Sequence, residues 1–450
     1  MANKEAKTYV LDTSVLIHSP AALLAFEENT VIVPFSVLDA LGKLKTRPGE
    51  VGANAKECNR ILSALCDNPE ASISKGITTP NGGLIRVEGE LEQDAIYIAK
   101  VNSSNAVLVT LDENQRVRAN VAGVKAESYK HGQVNIKNGG YTGRASVMVP
   151  SKTLSEYASK GELPISSAVA IYDAHGEIKE LFENQFVIIR DASDPSHTML
   201  GRFTDGKIVK LRYIANSPVF GVTPRNVGQR FALEALLAPA EEAPLVILKG
   251  PAGTAKTFLA MAAGLEQTYE RNPQYRRILV SRPNTKMDDD IGFLPGDERA
   301  KVSSVIRGIC DNITNLMPDK TYEQKKDGIR MSDPSDELFD SGVVVAQAMA
   351  YMRGRSICDN YIVIDEAQNA TTNQVFGLIT RVGEGSKIVL LGDPESQLDN
   401  PFLDRFNNGL TYASEHMKGS RLCWQITFEE SECTRSDLAA EAIARLTENN

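Results

Sequence analysis

Eight consecutive residues, Gly250-Pro251-Ala252-Gly253-Thr254-Ala255-Lys256-Thr257, carry the most specific chemistry in the chain. A Gly-rich turn of this spacing aims successive backbone N–H groups inward. A helix starting at its end adds the positive pole of its dipole, so a triphosphate finds an anion nest. Lys256 is expected to reach the β- and γ-phosphates of ATP, and Thr257 to offer its hydroxyl to Mg²⁺. The pattern ordinarily has Gly before the Lys, and here Ala255 places a Cβ facing the phosphates or the new helix.

Two further strand ends support this reading. Tyr361-Ile-Val-Ile-Asp365-Glu366 is an apolar run delivering two acids at its end. Asp365 is expected to hold Mg²⁺ in its outer shell and Glu366 to orient or deprotonate the attacking water. Ser386-Lys-Ile-Val-Leu-Leu-Gly-Asp393 ends in polar groups, with Gln397 close behind, that could sense the γ-phosphate. Gln229, about one helix before the phosphate loop, can donate and accept at once and so could read adenine. Arg353 and Arg355, near Asp365 in sequence, suit a phosphate clamp or an arginine finger to a neighbouring subunit. Arg381 and Arg435 are further candidates for that role.

A second chemistry stands earlier. Asp12, Asp39, Asp94 and Asp112 are expected in two kinds of place. Asp12 and Asp112 end strands, and Asp39 and Asp94 lie in first helical turns, which commonly face the same edge of an open α/β sheet. Clustered carboxylates repel unless a cation sits among them, and Mg²⁺ or Mn²⁺ is the matching hard ion. Such a metal activating water beside a phosphodiester makes a nuclease. Any one of these acids alone reads as a helix cap or a solvated surface group.

The elements that must position these groups follow from the apolar pattern. Short strands are expected at 8–12, 30–34 and 106–112, with helices over 37–45, 53–62 and 90–100. The stretch from 131 is punctuated by Asn138-Gly-Gly140, Pro150 and Pro164 and reads as a linker or edge segment, followed by short antiparallel strands. Asp205-Gly206 between alternating runs signals a hairpin whose basic residues Arg202, Lys207, Lys210 and Arg212 could line a nucleic-acid path. Beyond Pro224 the chain reads as one nucleotide-binding domain with strands at 244–249, 277–283, 342–348, 361–365 and 386–393. An exposed insertion is expected over 319–335.

The chain's 450 residues are enough for two or three domains. A formal net charge of −9 argues against wholesale polyelectrolyte binding yet leaves room for a local basic groove. No stretch reaches the apolar length of a membrane span, and the N-terminus lacks an apolar signal core. Six cysteines without Cys-x-x-Cys or metal spacing fit reduced thiols in a cytoplasmic protein.

Residues 8–130 resemble a PIN domain through Asp12-Thr-Ser-Val-Leu, Val33-Pro-Phe-Ser-Val-Leu-Asp39 and Leu108-Val-Thr-Leu-Asp112. The resemblance implies a metal-dependent ribonuclease fold with this acidic quartet. The second acid is usually Glu, and Asp39 is one methylene shorter. Residues 220–445 resemble the PhoH family of ATPases, related to superfamily 1 helicases. The match runs through Arg282-Pro283, Ile291–Asp297, Arg353-Gly-Arg355-Ser356, Ile364–Asn369, Arg381–Lys387 and Gly392-Asp393 with Gln397. The whole chain is similar to a PIN–PhoH fusion. That implies an α/β fold: a PIN-like domain over 1–135, a β-rich bridge over 136–222, and a RecA-like P-loop domain with a parallel sheet over 223–450. It also implies ATP-dependent unwinding of RNA, single strands being the form moved, coupled to endonucleolytic cleavage in a ring-shaped homo-oligomer such as a hexamer. Two other readings remain open from the residues: an ATP-gated RNA-binding protein with a weakened nuclease, and a small-molecule phosphotransferase.

Overall fold

The computed structural model describes residues 7–26, 29–47, 49–66, 72–79, 82–102, 105–129, 140–174, 176–178, 180–213, 217–269, 273–283, 308–317, 334–352, 356–395, 398–400 and 403–434. The chain divides near residue 132 into two compact units.

The N-terminal unit runs β1 (Thr8–Leu11), α1 (Thr13–His18), β2 (Thr30–Pro34), α2 (Phe35–Leu44), α3 (Gly49–Cys66), β3 (Ile77–Thr78), β4 (Leu84–Glu88), α4 (Ala95–Val101), β5 (Ala106–Val109), α5 (Glu113–Val121) and β6 (Lys125–Glu127). Its sheet has the order β3-β4-β2-β1-β5-β6, parallel throughout except for β3. Both faces are covered, so the strands are apolar runs rather than alternating ones. Leu11, Val31, Val33 and Val109 enter one core with α1, α2 and α3. Val10, Ile32 and Leu108 enter the other with α4 and Ala119 of α5. The helix expected from residue 90 begins only at Ala95, because the Asp94 carboxylate caps it by accepting from Tyr97 N.

The second unit opens with β7 (Arg144–Val149), α6 (Ser151–Lys160), β8 (Glu162–Pro164), β9 (Ala170–Asp173), β10 (Gly176–Ile178), β11 (Phe186–Asp191), β12 (Thr198–Thr204) and β13 (Lys207–Lys210). These form a seven-stranded sheet, β10-β9-β7-β11-β12-β13-β8. The stretch expected as a linker or edge segment therefore supplies a central strand. Ala145, Val147 and Val149 of β7 alternate into a core, and Pro150 falls at the N-cap of α6, where no intrahelical N–H is needed. The expected hairpin is present: Asp205 and Gly206 both have positive φ, the geometry of a type I′ turn.

The remainder runs α7 (Val227–Leu237), β14 (Leu245–Lys249), α8 (Lys256–Thr268), β15 (Arg277–Ser281), β16 (Val344–Ala346), β17 (Asn360–Ile364), β18 (Lys387–Gly392) and β19 (Cys423–Thr427), with shorter helices at Pro334–Asp340, Met349–Met352, Thr372–Ile379 and Gly409–His416. The sheet β16-β15-β17-β18-β14-β19 is wholly parallel and buried on both faces. The seven-stranded sheet shares this core. Phe186 of β11 stacks on Phe231 of α7 with ring centroids 4.9 Å apart and meets Trp424 of β19 edge-on. Arg144 of β7 makes a buried, two-pronged ion pair with Glu432, at 2.6 and 3.1 Å. Both groups are desolvated, so removing one partner would strand the other charge.

Candidate active sites

Strand β14 delivers the chain to the phosphate loop, and the loop needs left-handed backbone to turn into α8. Gly250 and Gly253 supply positive φ freely; Ala255, at φ +68 and ψ +23, supplies it against its own Cβ. That conformation costs an alanine about 1 kcal/mol relative to glycine. The loop accepts it because the Ala255 carbonyl makes the first helical bond, to Leu259 N at 2.9 Å, and its methyl packs on the core.

Lys256 is nine-tenths buried, with Nζ donating to the Gly250 carbonyl at 2.7 Å and to the Pro251 carbonyl at 3.0 Å. Thr257 Oγ1 donates to Asp365 Oδ1 at 3.0 Å. Asp365 directly follows β17, which lies two strands from β14 with β18 between them. Burial raises the Asp365 pKa above the ordinary carboxylate value, and the neighbouring Glu366 charge raises it further. A hydroxyl and a carboxylate beside a phosphate nest are the hard-oxygen donors that Mg²⁺ prefers, so these residues fit that ion.

Glu366 stands at φ +52. Its carboxylate accepts from Gln368 Nε2 at 2.6 Å and lies 3.7 Å from Arg282 Nη2. Gln368 Oε1 in turn accepts from Asp393 N at 3.2 Å, tying the ends of β17 and β18 together. Sequence reasoning gave no role to Gln368 or Arg282; the signal available was their place at strand ends beside the two acids. Gln229 is buried, and its Oε1 accepts from Arg225 N at 2.8 Å. Arg353, Arg355, Gln397, Arg435, the loop 291–297 and residues 319–333 lie outside the described residues.

In the N-terminal unit the strand order places the four acids at one edge. β4, β2, β1 and β5 are adjacent and parallel. Asp12 follows β1 directly, Asp112 follows β5, Asp94 opens α4 after β4, and Asp39 lies in α2 after β2. Asp12 caps α1 and accepts from Ser14 Oγ at 2.6 Å and Thr110 Oγ1 at 2.7 Å. Asp112 caps α5 through Asn114 N at 2.8 Å. Asp94 pairs with Arg118 at 3.4 Å. Asp39 falls in the second turn of α2, past the first turn where it was expected, and pairs with Lys43 at 2.7 Å. Among the described residues no three acidic, histidine or cysteine side chains are grouped as a metal cage. The donor set, all carboxylate and hydroxyl oxygen, still has the chemistry of a Mg²⁺ or Mn²⁺ site.

The basic hairpin has its charges paired. Each of its four cations already has a partner within the chain. Arg202 stacks 4.0 Å over Trp424 and bonds Asn184. Lys207 pairs with Glu162 at 2.6 Å, Lys210 bonds the Ala158 carbonyl, and Arg212 forks onto Glu242. These pairings tie the hairpin to β8, α6, β19 and the segment after α7.

Comparison with known proteins finds two family models along the chain: a PIN domain over residues 9–130 and PhoH-like protein over residues 221–447. Relatives named Protein PhoH2 match along nearly the full length. The one from Bacillus subtilis is 34% identical, covering 96% of this chain and 98% of the relative. That from Thermobispora bispora is 30% identical, covering 97% and 95%. That from Mycolicibacterium smegmatis is 30% identical, covering 100% and 98%.

Proposed function

The chain belongs to the PhoH family and carries a PIN domain ahead of its PhoH domain, and from that premise we propose that it is an ATP-driven RNA helicase or translocase coupled to metal-dependent endonucleolytic cleavage of RNA. The observation that carries the ATPase half is the bond between Thr257 of the phosphate loop and Asp365 of the adjacent acid pair. The nuclease half rests on the alignment of Asp12, Asp39, Asp94 and Asp112 along one edge of a parallel sheet.

At the nucleotide site, Lys256 exchanges its two loop carbonyls for phosphate oxygens, and the N–H groups of the loop and of α8 hold the rest of the triphosphate. Thr257 and Asp365 would hold Mg²⁺, and Asp12, Asp94 and Asp112 would hold the nuclease's Mg²⁺ or Mn²⁺. Such cations supply neutralisation of phosphate charge and a more acidic water. Glu366, fixed by Gln368 and faced by Arg282, orients the attacking water and takes its proton. Arg353 or Arg355 is proposed as the finger reaching a neighbouring protomer, in a ring of identical chains that could be a hexamer. None of the six cysteines is joined in a disulfide, which suits a cytoplasmic setting. No described helix is long and apolar enough to cross a membrane.

A second reading, ATP-gated RNA binding with little cleavage, is favoured by one observation: Asp39 is spent on Lys43. The test measures ATP hydrolysis with and without single-stranded RNA, and RNA cutting by the unchanged protein and by Asp12→Asn. RNA-stimulated hydrolysis with cutting that disappears in Asp12→Asn supports the first reading. Stimulated hydrolysis with no cutting by the unchanged protein supports the second, and hydrolysis indifferent to RNA overturns both.

A further inference from the structure

Lys249 ends β14, one residue before the phosphate loop, and carries its ammonium into the interior. The acceptor there is the Tyr141 carbonyl, 2.8 Å from Nζ. The N–H of the same residue donates to the Glu415 carboxylate. One peptide residue is thus gripped on both sides by opposite charges in a place where charge is expensive to bury. Tyr141 lies next to Gly140, where the described chain resumes, early in the second compact unit.

The residues that follow are gripped as well. Thr142 O accepts from Thr427 N at 2.8 Å, extending the edge of β19. Gly143, at φ +73, passes so close that a side chain there would run into the Gln425 backbone. Arg144 forks onto Glu432, and Glu432 is followed by Cys433 and Thr434. Thr434 N then donates to the Gly253 carbonyl in the crown of the phosphate loop, at 3.0 Å. Residues 141–144 therefore reach the loop by two routes: at its root through Lys249, and at its crown through Arg144, Glu432 and Thr434.

Resting on the reading of that loop as a nucleotide site, we propose that residues 141–144 are a strap that senses nucleotide in the phosphate loop, with Lys249 and Glu415 as the positioning residues that couple the two. Filling the loop withdraws Lys256 from the Gly250 and Pro251 carbonyls and fixes the backbone on which Lys249 stands. The anionic ligand also favours the Lys249 ammonium. Both effects tighten the grip on Tyr141, so the segment leading to the N-terminal unit is held more firmly when nucleotide is bound.

The experiment is hydrogen exchange on the full-length protein, with and without a non-hydrolysable ATP analogue and Mg²⁺, read on peptides spanning 140–149. Binding of the analogue is measured separately by equilibrium dialysis. The analogue is expected to slow exchange at 141–144 by roughly threefold or more in the unchanged protein. Lys249→Met should bind the analogue yet show no slowing there, and Glu415→Gln, which keeps the shape of the site, should show the same loss. Binding without any slowing in the unchanged protein, or unaltered slowing in both variants, overturns the coupling alone. An unchanged protein that does not bind the analogue overturns the nucleotide reading, and the strap with it.

Discussion

Thr257 and Asp365 are 108 residues apart in sequence, yet the hydroxyl of one donates to the carboxylate of the other at 3.0 Å. The bond exists because the phosphate loop and the acid pair sit at the same end of parallel strands, with β18 between β14 and β17. It puts both candidate ligands of one Mg²⁺ within reach of each other. It also leaves Asp365 as a partly buried acid whose charge is costly until a cation arrives.

Asp365→Asn should therefore abolish ATP hydrolysis while making the nucleotide-free protein more stable. The Asp365 pKa is raised in the folded state, so its contribution to stability is full below the unfolded value and lost as pH rises through the folded one. Asn removes that loss while still able to accept from Thr257. Melting temperatures at pH 7.5 without nucleotide check this: the variant should melt higher. A lower melting temperature would mean the carboxylate is held by partners other than Thr257.

Glu366→Gln should bind ATP with near-normal affinity and turn it over about 10² to 10⁴ times more slowly, the usual loss when a base is removed. Gln keeps the side-chain volume and can still accept from Gln368, so what is lost is proton acceptance and the charge facing Arg282. Single-turnover hydrolysis beside an equilibrium binding measurement separates the two effects, and a parental rate would remove Glu366 from the mechanism.

Ala255→Gly relieves a Cβ held at φ +68 and should stabilise the protein by up to about 1 kcal/mol, with ATP affinity equal or better. Urea unfolding and ATP titration check both halves. Weaker ATP binding would show that the Ala255 methyl, which packs on the core, shapes the loop for its ligand.

Cleavage and hydrolysis should be separable, because their candidate ligands belong to different compact units. Asp12→Asn should lose RNA cutting by a hundredfold or more, roughly, with ATPase unchanged. Lys256→Ala should lose ATPase, cut unstructured RNA normally and cut duplex-containing RNA slowly. Equal loss of cutting on both RNAs would indicate that nucleotide assembles the particle and does not drive strand opening.

Lys387 gives a pH test. Its ammonium is fully buried at the C-terminal end of α7, donating to the carbonyls of Ala235 at 3.1 Å and Leu236 at 3.0 Å, and burial pulls its pKa down to about 7. A depressed pKa contributes stability that is present above the unfolded value, near 10.5, and lost as pH falls through the folded one. Stability should thus rise by up to about 1.4 kcal/mol per pH unit between pH 7 and 10 relative to Lys387→Met. Parallel slopes for the two proteins in urea unfolding across that range would refute the assignment.

What the sequence determined by itself was whatever depends on near neighbours. A Gly-rich turn between an apolar strand and a helix is built from consecutive residues, so the strand, turn and helix around Gly250–Thr257 were legible without the fold. The same holds for the Asp205-Gly206 turn, for β2, whose expected limits match, and for acids placed by strands that lead directly into them. Tertiary structure decided what depends on which strands lie side by side. Pairing Thr257 with Asp365, and lining four acids along β4-β2-β1-β5, both follow from sheet order, which no local pattern carries. The hairpin cations looked free because their partners, Glu162, Glu242 and Trp424, are brought to them only by packing. Residues 141–149 looked like a linker because Gly and Pro flank them. Burial of Ala145, Val147 and Val149 and the charges of Lys249, Glu415 and Glu432, each from a distant part of the chain, made them a strap and a central strand.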